Sequence, residues 1–382
     1  MIYLDNAATT RMHPEVLDAM MPYLTESYGN PGSLHTFGRE AAAAVDRARE
    51  QAAAFMGCDP SQIIFTSGGS EGNNLVVSGV LPELRRRGRT ELLVSAIEHE
   101  SLLMAAKASI KEEFHLSLVK PYYDGEIMPD AVRKAMRPGT GFVSVMAANN
   151  ETGVLNDVNT ICGHCHNNDV LFHTDAVQAA GTEDLREIHC DFMTVSSHKI
   201  HGPKGVGALF AADPSMLSPL IYGGAEQENG LRGGTENVAG IVGFGKACEI
   251  AAKHRAENRE KLKTLRDAFV RTLKLDLAYG DFYVNGCCAL KTPKVVSLFF
   301  PGIDAQTLLL TLDASGVCVS AGSACTAHES VPSHVLTAMD MSEEEARSTI
   351  RVSFSADNTG EEVVCAARTV ASAVKLLRHM DT

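Results

Sequence analysis

Ser196-Ser197-His198-Lys199-Ile200-His201-Gly202-Pro203-Lys204-Gly205, read with His173-Thr174-Asp175-Ala176-Val177-Gln178 upstream of it, decides how this chain is built. Each segment follows an apolar, β-branched run, Phe192 to Val195 and Val170 to Phe172, so each marks the carboxyl end of a buried strand. Open α/β sheets bind their ligands at that edge. An amine, Lys199, and a carboxylate, Asp175, are therefore expected to face one crevice. A lysine after a strand is ordinarily a solvated surface charge, and an aspartate there a turn or a cap. Their pairing, together with the features below, is what makes them a candidate site.

The alternation extends in both directions. Phe37 to Met56 reads as a helix stopping at Gly57, Gln62 to Thr66 as a strand, and a helix follows from Ser70. A strand at Glu91 to Ser95, a helix from His99, a strand at Gly141 to Ala147 and a helix at Val158 to Asn168 continue the order. Strands alternating with helices imply parallel βαβ units with right-handed crossovers. Glu236 to Lys274 reads as a long helical stretch, loosened around Gly240, Gly243 and Gly245. Beyond it lie a strand at Lys294 to Phe300, a helix at Asp304 to Ala314, a strand at Ile350 to Phe354 and an amphipathic helix from Gly360 to about His379. The expected α/β architecture is a large domain at 12–255 and a smaller α+β domain made of 1–11 and 256–382. Between those last elements, Ser320 to Pro332 has no apolar periodicity and is expected to form a mobile loop at about 320–333.

Composition narrows the partners. The chain has 382 residues, 45% of them hydrophobic, enough for two domains with a sizeable core. Its 34 basic and 47 acidic residues give a formal charge of −13, which opposes attraction to nucleic acid or to anionic membranes. No run of about 18 apolar residues is free of charges or helix breakers, and Met1 to Asp5 offers no cationic, apolar leader. The expectation is a cytoplasmic protein acting on a small metabolite. The ten cysteines are scattered as reduced core residues would be. Cys162-Gly163-His164-Cys165-His166 matches a c-type haem attachment pattern and half of a zinc site. It falls inside an expected helix, however, and has no second cysteine pair at zinc spacing, so no metal site is expected.

Four further segments gather at the same strand ends. Thr66-Ser67-Gly68-Gly69-Ser70-Glu71 leaves a strand and opens a helix, so backbone N–H groups at Gly69 and the Ser70 hydroxyl can receive an anion at the helix's positive end. It matches neither the Walker nor the dinucleotide pattern. Ser196 and His198 can add donors, as can Arg232-Gly233-Gly234-Thr235. His99 begins a helix after a strand, where an imidazole can stack on a planar ring and exchange protons. Asn150 follows another buried strand and can donate to a ring oxygen or a carboxylate. A lysine amine, an acid beside a ring nitrogen and a phosphate seat are together what pyridoxal 5'-phosphate requires of a protein.

Those segments, with Tyr3-Leu4-Asp5-Asn6-Ala7-Ala8-Thr9-Thr10, Gly29-Asn30-Pro31, Gly322-Ser323-Ala324-Cys325-Thr326 and Arg351, resemble the cysteine desulfurases of the nitrogen-fixation and iron–sulfur-assembly branch. These are pyridoxal-phosphate-dependent proteins of fold type I, and the resemblance covers nearly the whole chain. It implies a mostly parallel seven-stranded sheet in the large domain and a homodimer. It also implies that Lys199 forms the Schiff base, Asp175 pairs with the ring nitrogen, Gln178 bonds the ring hydroxyl and His99 stacks on the ring. Gly69, Ser70, Ser196 and His198 would hold the phosphate with Thr235 of the neighbouring subunit. Asn150 and Arg351 would grip the substrate carboxylate, and Cys325 would be the nucleophile. L-cysteine would yield alanine and a persulfide for an acceptor such as an iron–sulfur scaffold protein. Ser70 and His201 stand where relatives commonly carry Thr and Tyr, and neither change removes a chemical function. The chain ends at Thr382, short of the tail of many relatives, which leaves the acceptor open. So does the choice between cysteine and selenocysteine. Another fold type I chemistry, such as transamination, is the nearest alternative, and Cys325 discriminates between them.

Overall fold

The computed structural model describes residues 1–322 and 332–380, so Cys325 lies outside the described residues. In chain order the first elements are β1 (Ile2–Tyr3), α1 (Pro14–Thr25), α2 (Thr36–Met56), β2 (Ile63–Thr66) and α3 (Gly69–Arg86). Then come β3 (Glu91–Ser95), α4 (Glu100–Ala108), β4 (His115–Val119), α5 (Pro129–Ala135), β5 (Thr140–Ser144) and α6 (Val158–His166). The strands β6 (Leu171–Asp175), β7 (Phe192–Ser196) and β8 (Gly207–Ala211) precede the long helix α7 (Val238–Asp276).

Seven of these strands form one sheet in the order β2-β8-β7-β6-β5-β3-β4. The pairs from β7 through β6, β5 and β3 to β4 are parallel, and β8 runs antiparallel to both its neighbours. The architecture is α/β with a mostly parallel seven-stranded sheet. Its central strands are buried on both faces, which is why they read as unbroken apolar runs. Leu93, Val143 and Phe172 point into one apolar core with Phe55 and Phe244, whereas Leu92, Phe142 and Leu171 point into the other with Val76 and Leu102. Two-residue periodicity thus divides each strand between two helical layers.

The remaining elements are β9 (Tyr283–Val284), β10 (Val295–Phe299), α8 (Ala305–Ala314), β11 (Val317–Cys318), α9 (His334–Ala338), α10 (Glu343–Arg347), β12 (Thr349–Ser353) and α11 (Gly360–Met380). An antiparallel sheet, β12-β10-β9, packs Leu298 and Val352 against Phe269, Leu308 and Val370 in a separate core.

Two features differ from the sequence expectations. Helix α7 runs uninterrupted past Gly240, Gly243 and Gly245. A Cβ at Gly243 would lie 2.5 Å from the Met20 sulfur and one at Gly245 2.7 Å from Ala48 Cα, so these glycines let α7 press against α1 and α2. Strands β4 and β8 escaped the sequence reading for different reasons. In β4 only Val119 is buried, so no apolar run appears, and β8 is an antiparallel insertion rather than part of a βαβ unit.

The N-terminal segment stitches the two sheets together. β1 pairs with β11, the Asn6 amide donates to Ser353 O (3.0 Å), and Thr10 donates through both N–H and hydroxyl to His198 O (3.0 and 2.9 Å). On the opposite side, buried Glu228 receives Arg49 (2.7 Å) from α2 and the Phe65 N–H (2.8 Å) from β2, fixing the segment before Thr235.

Candidate active site

One cavity of about 210 Å³ opens at the carboxyl ends of β6 and β7. It brings together Gly69, Ser70, His99, Asn150, Asp175, Gln178, Ser196, His198, Lys199 and Arg351, residues spread over more than two-thirds of the chain. Thr235 does not line it, and Cys325 lies outside the described residues. Asn73, Ser101, Met146, Val177, Ala7 and Ala8 line it as well, and the sequence reading had given none of them a role.

Asp175 ends β6 and is buried, with one carboxylate oxygen accepting from the Val177 N–H (2.9 Å) and the other from the Asn73 amide (2.8 Å). Asn73 lies one helical turn beyond Gly69 and Ser70 on α3, so a single helix serves both the phosphate seat and the acid. That i+3/i+4 spacing was the signal that could have revealed Asn73 in the sequence. Lys199 closes a turn of 3₁₀ helix after β7, and its ammonium donates to the carbonyls of Ala7 and Ala8 (2.7 Å each). The amine is thus held at the cavity wall by the start of the chain.

His99 caps α4, its Nδ1 accepting from the Ser101 N–H (3.2 Å) and meeting the Ser101 hydroxyl at 2.8 Å. A backbone N–H can only donate, so Nδ1 is the acceptor and the neutral ring carries its proton on Nε2. Burial lowers its pKa, which favours that neutral form. At the phosphate seat Gly68 takes a φ of +149°, a conformation that suits glycine and lets the first N–H groups of α3 face the cavity. His198 bonds Thr9 (3.1 Å), and burial with the charge of Lys199 pushes its pKa down to about 4. It enters the seat as a neutral donor or acceptor.

Arg351, on β12, comes from the other sheet. Its guanidinium donates to Asn150 O (3.0 Å) and Asp5 (2.9 Å) while 3% exposed. Asn149 builds the turn that presents Asn150, accepting from the N–H groups of Glu151 and Thr152 (2.9 Å each). Among the described residues, the Arg351 Nε and the side-chain oxygens of Asn73, Asn150 and Gln178 are buried with no hydrogen-bond partner. All four belong to residues lining this cavity. Orphaned buried polar atoms are costly, and their convergence marks a surface shaped for a polar ligand. With an amine, an acid, a helix N-terminus and an imidazole on the walls, the residues fit pyridoxal phosphate.

Glu98, just before His99, is fully buried behind this site. One of its oxygens accepts from the Ser95 hydroxyl (2.5 Å) and the Met146 N–H (2.6 Å), and the other has no partner. Burial, reinforced by the charge of Asp175, pushes its pKa up to about 8. The folded protein therefore keeps a proton that the unfolded chain releases above the ordinary glutamate value of 4.5, so stability declines as pH rises from there toward 8. Glu98→Gln, which keeps the acceptor oxygen, is expected to flatten that decline and to gain about 1–3 kcal/mol over the native protein near pH 8. Urea unfolding near pH 5 and pH 8 measures it, and an equal pH slope in both proteins would place Glu98 as an ionised group.

Cys162 and Cys165 lie on the buried face of α6, in the apolar core, and burial holds both thiols well above their ordinary pKa. Such thiols are inert packing groups.

The aminotransferase class-V family matches residues 2–365. A putative cysteine desulfurase IscS 1 of Bacillus subtilis (strain 168) is 43% identical over 380 residues, covering 98% of this chain and 99% of that protein. A solved NifS-like protein superposes with a TM-score of 0.90 at 34% identity, over 98% of this chain and 99% of its own. A structure described as SspA in complex with cysteine superposes with a TM-score of 0.81 at 33% identity, over 94% and 100%.

Proposed function

The chain belongs to the aminotransferase class-V family, among its cysteine desulfurases, and on that footing we propose that the cavity between Lys199 and Asp175 takes sulfur from L-cysteine and leaves it on Cys325. When bound there, pyridoxal phosphate supplies an electrophilic carbon for the substrate's amine and a cationic ring that accepts the electrons of its Cα–H bond. Lys199 would hold that group, and its amine on the cavity wall would serve as the base that removes the Cα proton. Asp175 would pair with the ring nitrogen, and Gln178, whose side-chain oxygen is orphaned, would accept from the ring hydroxyl. Gly69, Ser70, Ser196 and His198 form the phosphate seat. Arg351 and Asn150 grip the substrate carboxylate, the Arg351 Nε being the unused donor of a fork that matches it. His99 lines the same cavity with its Nε2–H unused by the cap, so it would stack on the bound ring and could pass a proton between substrate and solvent. Cys325, as thiolate, forms the S–S bond while the substrate's C–S bond breaks, and alanine departs.

The observation that carries this reading is the meeting of an amine, an acid and four orphaned polar groups in one cavity. A homodimer belongs to the same proposal. Thr235 would complete the neighbouring subunit's phosphate seat, since it does not line the cavity of its own chain, and its loop is tied to α3 by Arg232 and Glu71 (3.0 Å). Leu24, Tyr28, Leu34, Phe37 and Tyr222 are large exposed apolar side chains of the kind a subunit interface covers. The division near residue 255 is supported by the separate apolar core of the second unit. Delivery to an acceptor such as an iron–sulfur scaffold, and a cytoplasmic setting, complete the proposal. No helix among the described residues is long and apolar enough to cross a membrane.

Incubation of the holoenzyme with cysteine, followed by mass spectrometry, tests it. The Cys325 peptide should gain one sulfur as alanine accumulates. Alanine without that gain would move the nucleophile elsewhere, a sulfur-bearing keto acid (mercaptopyruvate) would indicate transamination, and pyruvate with free sulfide would indicate β-elimination.

A further inference from the structure

A second cavity, of about 310 Å³, lies behind the Lys199 segment, between the seven-stranded sheet's unit and the three-stranded one. Lys294, at the entrance to β10, lines it while only 5% exposed. Its ammonium donates to the Lys199 carbonyl (3.0 Å), and the charges acting on it among the described residues are the like charges of Lys199 and Arg351. Burial, and then the charges of Lys199 and Arg351, press its pKa down to about 7. An ammonium taken out of water without a counter-charge is among the least favourable groups a fold can bury.

The cavity's own acids do not relieve it. Glu257 sits against His254 (3.2 Å) and Asp357 against His201 (3.8 Å); both are largely exposed, and neither forms an ion pair with Lys294 or with the exposed Lys261, which lines the same cavity. We propose that this cavity binds a small monocarboxylate, whose charge completes Lys294 from the inside and Lys261 from the mouth. The volume far exceeds a halide ion. An occupant bound to Lys294 would sit one hydrogen bond from the backbone carbonyl of Lys199.

Acetate is the probe, titrated into the holoenzyme at constant ionic strength with the thermal unfolding midpoint as readout. Because it needs no turnover, the result stands apart from the desulfurase reading. Saturating acetate should raise Tm by about 2 °C in the native protein. Arg351→Gln, which removes the carboxylate grip of the first cavity, should keep that rise. Lys294→Met should lose it while being at least as stable as the native protein without acetate, and Lys261→Ala should weaken acetate about tenfold. An unchanged response in Lys294→Met and Lys261→Ala would overturn the proposal. So would a response lost in Arg351→Gln alone, which would place acetate in the first cavity only.

Discussion

Replacing Lys199 by alanine is expected to remove turnover almost completely and to abolish the visible absorption of the holoenzyme that borohydride bleaches. Proton transfer by a positioned amine contributes about 10²–10⁴-fold by itself, and loss of the covalent attachment adds to it. The structural price is small by comparison. Two carbonyls, those of Ala7 and Ala8, lose their donor, at a cost of about 1 kcal/mol each. Folding by circular dichroism should therefore persist while absorption and alanine formation vanish together. A variant that keeps its bleachable band would move the attachment to another lysine, and Lys294, next to it in space, would then be the first to test.

Cys325→Ser should separate the two halves of the chemistry. A hydroxyl cannot carry the sulfur that a thiolate takes, so alanine formation in the presence of a thiol reductant should fall by at least about 10³-fold, roughly 4 kcal/mol on the barrier. The absorption of the bound cofactor and its shift on adding cysteine should remain, because the residues lining the described cavity are untouched. At neutral pH an unperturbed thiol is only a few per cent ionised. A rate that climbs with pH in the native protein and is flat in the serine variant would identify that ionisation. Native-like alanine formation by the serine variant would remove Cys325 from the mechanism.

The sheet was legible because its central strands are buried on both faces, so that Glu91–Ser95 and Phe192–Ser196 appear as continuous apolar runs. The ends of those runs in turn located Lys199 and Asp175. Edge strand β4, with one buried residue, carries no such signal, and the glycines of α7 misled because their role is close contact with α1 and α2 rather than flexibility. In the site, the residues proposed to hold the ligand stand in recognisable motifs, and the structure brings those of the described residues that line the cavity together. Asn73 was within reach through its helical spacing from Gly69 and Ser70, but Glu98 and Lys294 were not, because each matters through a backbone partner distant in sequence: Met146 and Lys199 respectively. Periodicity reports which face a residue occupies and says nothing of which distant backbone it meets.

The dependence of Lys199 on Ala7 and Ala8, and of Arg351 on Asp5, has a consequence for biosynthesis. The pocket needs the first decade of residues and a strand ending at Ser353 in place at once. A ribosome adding about 5–20 residues per second spends roughly 20–70 s between making those two stretches. Completion of the substrate end of the pocket is thereby postponed until the polypeptide is nearly finished, and a prematurely terminated product lacking β12 would emerge without Arg351.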